Sequence, residues 1–188
     1  GLAHLASSRY DGIELDVALK LPGYELRAIE ALRRHGLAER ALISTMEPSS
    51  LELIRSAAPD VRLGRSFPRV RSDPTEHPVK RWPAYALIAY WRRRLPGQAA
   101  ADLRQNRYDA LMCHWAFVTP KLVHTVHDAG GELYVWTVDE PARIAALEIL
   151  PLEVGRVPSA SLDPELGVVQ QQRRIVGRQP VVDHECRL

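Results

Sequence analysis

The sequence predicts an α/β protein with a parallel β-sheet built from repeated βα units. Short apolar segments alternate along the chain with longer amphipathic segments, and Gly, Pro or Ser turn signals separate them. The chain has 188 residues, of which 46% are hydrophobic, so it can bury a core of one domain. Together these observations favour alternating strands and helices over an all-β or all-α architecture.

The first element is a strand over residues 10–20 that carries charges on alternate positions. Because side chains alternate across a strand, it has two different faces. One face holds Glu14, Asp16, Ala18 and Lys20, and the other holds Ile13, Leu15, Val17 and Leu19. Charges on a buried strand persist when they are ion-paired, hydrogen-bonded or metal-bound. The charged face therefore fits either a site for a divalent cation and a phosphate, or a surface in water.

The remaining elements follow in order. Apolar periodicity and capping residues predict helices over 24–35, 51–58 (with a serine cap beside Pro48), 82–94, 99–106, 120–129 and 140–150. Apolar runs predict strands over 41–45, 61–64, 108–113 and 132–138, and a degenerate sixth strand over 154–157. Residues 65–81 are predicted to be irregular. We expect one domain over 1–165, followed by a basic, disordered tail over 166–188.

Composition excludes several classes of protein. Lys and Arg total 25 against 23 Asp and Glu, so the net charge of +2 argues against a dedicated nucleic-acid binder. Cys113 and Cys186 are far apart, which argues against a disulfide scaffold and is compatible with a reducing compartment. The sequence shows neither a membrane-spanning run nor a signal-peptide pattern. The sequence contains no signal for a location, and these features favour a soluble cytoplasmic protein. The start at Gly1 suggests that the natural N-terminus is missing.

Four motifs, in order, resemble the glycerophosphodiester phosphodiesterases, a family of TIM barrels. Residues 11–17 look like the family's metal-binding strand, and residues 20–25 look like its acid-x-Lys strand end followed by a Pro-Gly-Tyr-Glu turn. Residues 40–45, with Ser50-Leu51 and Pro59 after them, are similar to its fourth strand and helix. Residues 134–139 carry its Trp-Thr-Val signature. The resemblance covers roughly residues 10–165.

The chain also departs from the family pattern. The family opens with a His-Arg-Gly strand and carries a second histidine after its acidic strand, and this chain matches neither motif. We interpret residues 10–20 as the later of the two family strands, so that Lys20 corresponds to the phosphate-contacting lysine. The acid expected at position 18 is replaced by Ala18. The resemblance thus implies a partial barrel of about six βα units, with the first two missing.

The implied activity is metal-dependent hydrolysis of a glycerophosphodiester to an alcohol and glycerol 3-phosphate, within lipid metabolism. The resemblance and the strand ends suggest these roles: Glu14 and Asp16 as ligands of Mg²⁺ or Ca²⁺, Lys20 and Ser44 for the phosphate, Trp136 for the organic group, and His114 as a catalytic or substrate-contacting residue. His114 and Trp136 also fit purely structural roles. Two alternatives stay open, namely a non-catalytic binding protein on this scaffold and another phosphate-binding βα-barrel enzyme.

The segment 82–94 combines aromatic residues with arginines. Such a composition suits contact with a phospholipid surface. It also fits a barrel helix that packs its apolar side and places Arg92-Arg93-Arg94 at its carboxyl end. We expect the packed helix and keep membrane contact as a hypothesis.

Overall fold

The computed structural model describes residues 2–69, 81–138 and 140–148. Within these ranges it contains one parallel sheet in which the strands neighbour each other in sequence order. The strands are β1 (Leu15–Leu19), β2 (Ala41–Thr45), β3 (Arg62–Phe67), β4 (Ala110–His114) and β5 (Glu132–Trp136). The predicted sixth strand over 154–157 and the predicted tail over 166–188 lie outside the described residues.

A helix follows every strand, which confirms the predicted α/β class. The helices are α1 (Leu2–Leu5), α2 (Glu25–Arg34), α3 (Pro48–Ala57), α4 (Arg81–Arg104), α5 (Pro120–Asp128) and α6 (Pro141–Glu148). Short 3₁₀ turns lie at Ser8–Tyr10, Ala38–Arg40 and Trp115–Phe117. In the described part of the chain, no helix is long and apolar enough to cross a membrane.

The two faces of the sheet have different environments. Ile43, Leu63 and Leu111 belong to the main core, to which α2 to α6 all contribute. The opposite face, called the inner face below, carries a smaller cluster of Leu42, Ala110, Met112 and Tyr134 with Trp136 packed against it. In β1, Leu15, Val17 and Leu19 join the helix side. The alternation predicted for this strand is therefore confirmed, although the strand is shorter than predicted.

The sequence predicted two helices separated by a break at 95–98, and this prediction is wrong, because α4 is a single helix. It runs without interruption through Pro96, which is buried. A proline inside a helix removes one backbone hydrogen bond and crowds the preceding turn. Leu95 and Ala99, on either side of Pro96, are fully buried in the main core. Packing along both halves of the helix therefore outweighs the local preference to break.

Strand β3 is longer than predicted, because residues 65–67 pair in register with residues 111–113 of β4. Residues 65–67 were predicted to be irregular, yet they continue the strand. Arg65 lies 2.6 Å from the carboxylate of Asp102 in α4.

The predicted serine cap of α3 is also wrong, since Glu47 occupies the cap position and Pro48 begins the helix.

Candidate active site at the carboxyl edge of the sheet

Several polar and aromatic residues meet where the parallel strands end. Lys20 follows β1, while His114 and Trp136 are the last residues of β4 and β5. Ser44 lies one residue before the end of β2. In parallel βα folds, ligand sites form at this carboxyl edge. The structure thus brings four of the predicted site residues to the same end of the sheet.

His114 and Trp136 form an aromatic pair on neighbouring strands. They are directly opposite each other in the strand register, and their ring centroids are 5.1 Å apart at an interplanar angle of 77°. Trp115 adds a third ring, 5.4 Å from that of His114. The His114 ring is anchored from below, because its Nδ1 accepts a hydrogen bond of 3.2 Å from the backbone N–H of Ala116. This arrangement makes a partly buried aromatic wall.

Lys20 has an exposed side chain at the start of an ordered turn. Its backbone N–H donates to the hydroxyl of Tyr24 over 3.0 Å, and the N–H of Gly23 donates to Glu25 over 2.8 Å. Gly23 has a φ of 103°, which glycine adopts without strain. Within the described ranges, no carboxylate lies within ion-pair distance of the Lys20 ammonium. The turn therefore presents a cation at the carboxyl edge.

Ser44 and Asp16 are connected across the inner face. The hydroxyl of Ser44 donates to Asp16 Oδ1 over 2.7 Å, and Ser44 itself is only 2% exposed. Ala18, two positions nearer to Lys20, lies directly opposite Ser44 in the register. Ser44 thus fixes the orientation of the Asp16 carboxylate, and its own proton is used in doing so.

Glu14 lies at the other end of the sheet, where it belongs to an ionic network. The guanidinium of Arg62 contacts Glu14 at 3.3 Å and Glu132 at 2.7 Å, and the hydroxyl of Tyr134 donates to Glu132. Burial lowers the pKa of Arg62, but the carboxylates of Glu132 and Glu14 outweigh it and hold that pKa above its usual value. Glu14 and Lys20 are six residue steps apart along extended chain, a distance of about 20 Å. Arg62 was not identified from the sequence as part of a network. Its position on the inner face of β3 is the feature that could have indicated a partner for its charge.

The described residues do not form a complete cation site. Mg²⁺ and Ca²⁺ require about six or more oxygen ligands, several of them from protein. Glu14 faces a guanidinium, which repels a metal cation, so Asp16 is the better placed of the two predicted ligands. Among residues 2–69, 81–138 and 140–148, no three His, Cys, Asp or Glu side chains are grouped so as to hold a metal ion.

A family model matches the chain in the region that forms this edge. Residues 20–153 match the Glycerophosphoryl diester phosphodiesterase family. The chain belongs to that family. The match begins at Lys20 and spans Ser44, His114 and Trp136, whereas Glu14 and Asp16 precede it. The resemblance predicted from the motifs is therefore confirmed over most of its extent.

Solved structures of the family show the same fold. A glycerophosphodiester phosphodiesterase from Parabacteroides distasonis matches with a TM-score of 0.52 and 15% identity, over 74% of this chain and 50% of that one. An Oleispira antarctica phosphodiesterase, solved in complex with the product sn-glycerol-3-phosphate, matches with a TM-score of 0.50 and 19% identity, over 75% and 49%. The chain thus spans about half the length of these structures and forms part of a TIM barrel. No curated protein sequence matches it.

Proposed function

We propose that the carboxyl edge of this glycerophosphoryl diester phosphodiesterase family member binds a glycerophosphodiester and takes part in its hydrolysis to an alcohol and glycerol 3-phosphate. The supporting observation is that the family match spans Lys20, Ser44, His114 and Trp136, which lie at one end of the sheet. The Oleispira antarctica relative, solved with sn-glycerol-3-phosphate, supports the same class of ligand.

Each residue of the edge has a role that suits this ligand. The Lys20 ammonium pairs with the phosphate and stabilises the charge that develops on it during transfer. Trp136 gives the organic group an apolar wall, while His114 beside it contacts the phosphoryl group. Hydrolysis also needs a proton acceptor for the attacking water. His114 is the only histidine at this edge among the described residues. These residues therefore account for binding of the ligand more fully than for its hydrolysis.

The divalent cation predicted from the sequence stays a prediction. Asp16, oriented by Ser44, is the described carboxylate that is placed to take part. A non-catalytic binding protein on this scaffold is the alternative function.

Two single lysine substitutions test the proposal. Binding of sn-glycerol 3-phosphate and glycerophosphocholine is measured by calorimetry, and release of glycerol 3-phosphate is assayed with and without Mg²⁺ or Ca²⁺. Lys20→Met should weaken phosphate binding by about tenfold, the typical effect of one charge-assisted hydrogen bond. Lys121→Met, an exposed lysine on α5, is the matched control and should bind like the parent chain. Equal affinities for both variants, or no binding by the parent, would overturn the proposal. Binding without turnover would select the non-catalytic alternative.

We also propose that the outer face of α4 contacts an anionic phospholipid surface. Leu87 and Tyr90 are 53% and 51% exposed, and the Arg94 guanidinium lies 5.9 Å from the centre of the Tyr90 ring. The sequence of α4 contains no acidic residue before Asp102. Exposed apolar side chains beside arginines suit the boundary between lipid headgroups and acyl chains.

Vesicle sedimentation tests this contact. The chain should bind vesicles with phosphatidylserine and not neutral phosphatidylcholine vesicles, and Arg93→Glu/Arg94→Glu should abolish the binding. The control Arg9→Glu/Arg27→Glu makes the same change of charge at exposed positions outside α4. Equal loss in both double variants would show a net-charge effect and refute a specific surface.

A further inference from the structure

Two consecutive hydrogen bonds connect helix α4 to the ring of His114. Arg92 Nε donates to the carbonyl oxygen of Ala116 over 2.8 Å. The N–H of the same Ala116 donates to His114 Nδ1 over 3.2 Å. Arg92 therefore holds the residue that anchors the histidine, although Arg92 lies on an outer helix.

The turn between these partners is tightly packed. Ala116 is 8% exposed and lies in the 3₁₀ turn Trp115–Phe117, which is closed by the Val118 N–H on the Trp115 carbonyl. The Phe117 ring stacks edge-on against Phe67 at 5.1 Å, and Phe67 in turn meets Trp91 of α4 at 5.2 Å. A buried carbonyl needs a donor, and Arg92 supplies it for Ala116.

The hydrogen bond from Ala116 decides where the neutral His114 ring carries its proton. A nitrogen that accepts a hydrogen bond has no proton of its own, so in the neutral imidazole the proton is on the other nitrogen, Nε2. A proton on Nδ1 would place two donors face to face at the Ala116 N–H. Nε2 is also one of the two ring atoms farthest from the backbone.

We propose that Arg92 is a positioning residue that keeps His114 in the form protonated on Nε2, so that His114 serves the site as a hydrogen-bond donor to a phosphoryl oxygen. In this form Nε2 cannot accept a proton from the attacking water, which separates His114 from the role of general base. The consequence for the ligand rests on the proposed function, whereas the tautomer does not.

Ring-nitrogen NMR tests the tautomer directly. Long-range ¹H–¹⁵N spectra of the whole chain are recorded at a pH where histidine is neutral, and His114 is assigned by comparison with His114→Gln. The parent should show the pattern of a proton on Nε2. Arg92→Met, which keeps the aliphatic stem, should shift His114 towards a mixture of tautomers, and Arg92→Lys should restore part of the parent pattern. Arg93→Met, at the next and exposed position, should change nothing.

The possible results distinguish a failure of this inference from a failure of the proposed function. A proton on Nδ1 in the parent, or identical spectra for Arg92→Met and Arg93→Met, would overturn the inference. Unchanged signals from the other histidines show that Arg92→Met is folded, and if that variant does not fold, Arg92→Lys and the parent spectrum still decide. A parent that has the Nε2 proton but does not bind sn-glycerol 3-phosphate would refute the proposed function and leave the inference standing.

Discussion

Replacing Arg62 should destabilise the sheet more than replacing the exposed Arg34 of α2. Arg62 lies on β3, the middle strand of the described sheet. It contacts Glu14, which precedes the first described strand β1, and Glu132, which begins the last described strand β5. The three side chains are 29%, 28% and 27% exposed, so the network is neither fully buried nor freely hydrated. Arg62→Met keeps the apolar stem and removes the charge that faces both carboxylates.

The magnitude follows from this intermediate burial. A charge-assisted hydrogen bond contributes about 1.5–3 kcal/mol when buried, and an exposed ion pair contributes about 0–1 kcal/mol. Two partly buried contacts of about 1 kcal/mol each predict a loss of about 2 kcal/mol in the free energy of unfolding. The control Arg34→Met breaks a pair with Glu30 in which both side chains are more than two-thirds exposed, and should lose at most about 0.5 kcal/mol.

Urea denaturation, followed by circular dichroism, measures both losses. The slope of the free energy with urea should stay constant, so that a change in midpoint reports stability. A third variant, Arg62→Met/Glu14→Gln/Glu132→Gln, removes the uncompensated charges and should recover part of the loss. The reasoning is refuted if Arg62→Met is no more destabilising than Arg34→Met, or if the triple variant is less stable than Arg62→Met.

Three further predictions concern single side chains. The hydroxyl of Ser50, with backbone N–H groups, lowers the pKa of Glu25. This carboxylate therefore stabilises the fold above its unfolded pKa of about 4.3 and loses that contribution as the pH falls through its lower folded pKa. The urea midpoints of Glu25→Gln should fall less on acidification than those of the parent, and parallel curves would contradict this. Ala18→Glu places a carboxylate opposite Ser44 and should tighten Mg²⁺ or Ca²⁺ binding in calorimetry, with no gain expected from Leu21→Glu on the exposed turn. Burial raises the pKa of the Cys113 thiol, so in a chain whose other cysteine is replaced by serine a thiol reagent should react only after unfolding, and rapid reaction of the native chain would disprove it.

Elements were predicted correctly from the sequence where the local residue pattern agrees with the way the element packs in the fold. The strand 41–45 was predicted with its observed bounds, because an apolar run between turn residues has few alternatives. The two faces of β1 were also predicted, since alternation follows from strand geometry alone. Lys20 and His114 could be placed at the carboxyl edge because the strands are parallel. Trp136 was predicted to lie inside a strand over 132–138, and it reaches the edge because β5 ends at this residue.

Contacts between distant residues account for what the sequence did not show. A proline disfavours a helix by local rules, whereas Leu95 and Ala99, on either side of Pro96, are buried in the main core and stabilise the continuous α4. Glu14 was predicted as a metal ligand, and its ion pair with Arg62 joins residues 48 positions apart. The link from Arg92 to His114 depends on how α4 packs on the turn after β4, which no local pattern encodes.

Chemical-shift mapping with sn-glycerol 3-phosphate tests most directly whether the carboxyl edge is the ligand site. We predict that backbone amide signals shift at the turn after Lys20, at the end of β2 and from His114 to Ala116, together with the indole N–H of Trp136. Signals around Glu14, Arg62 and Glu132 at the opposite edge should stay in place. Shifts centred on the Arg62 network or on α4, or no shifts at millimolar ligand, would contradict a phosphodiester site at the carboxyl edge.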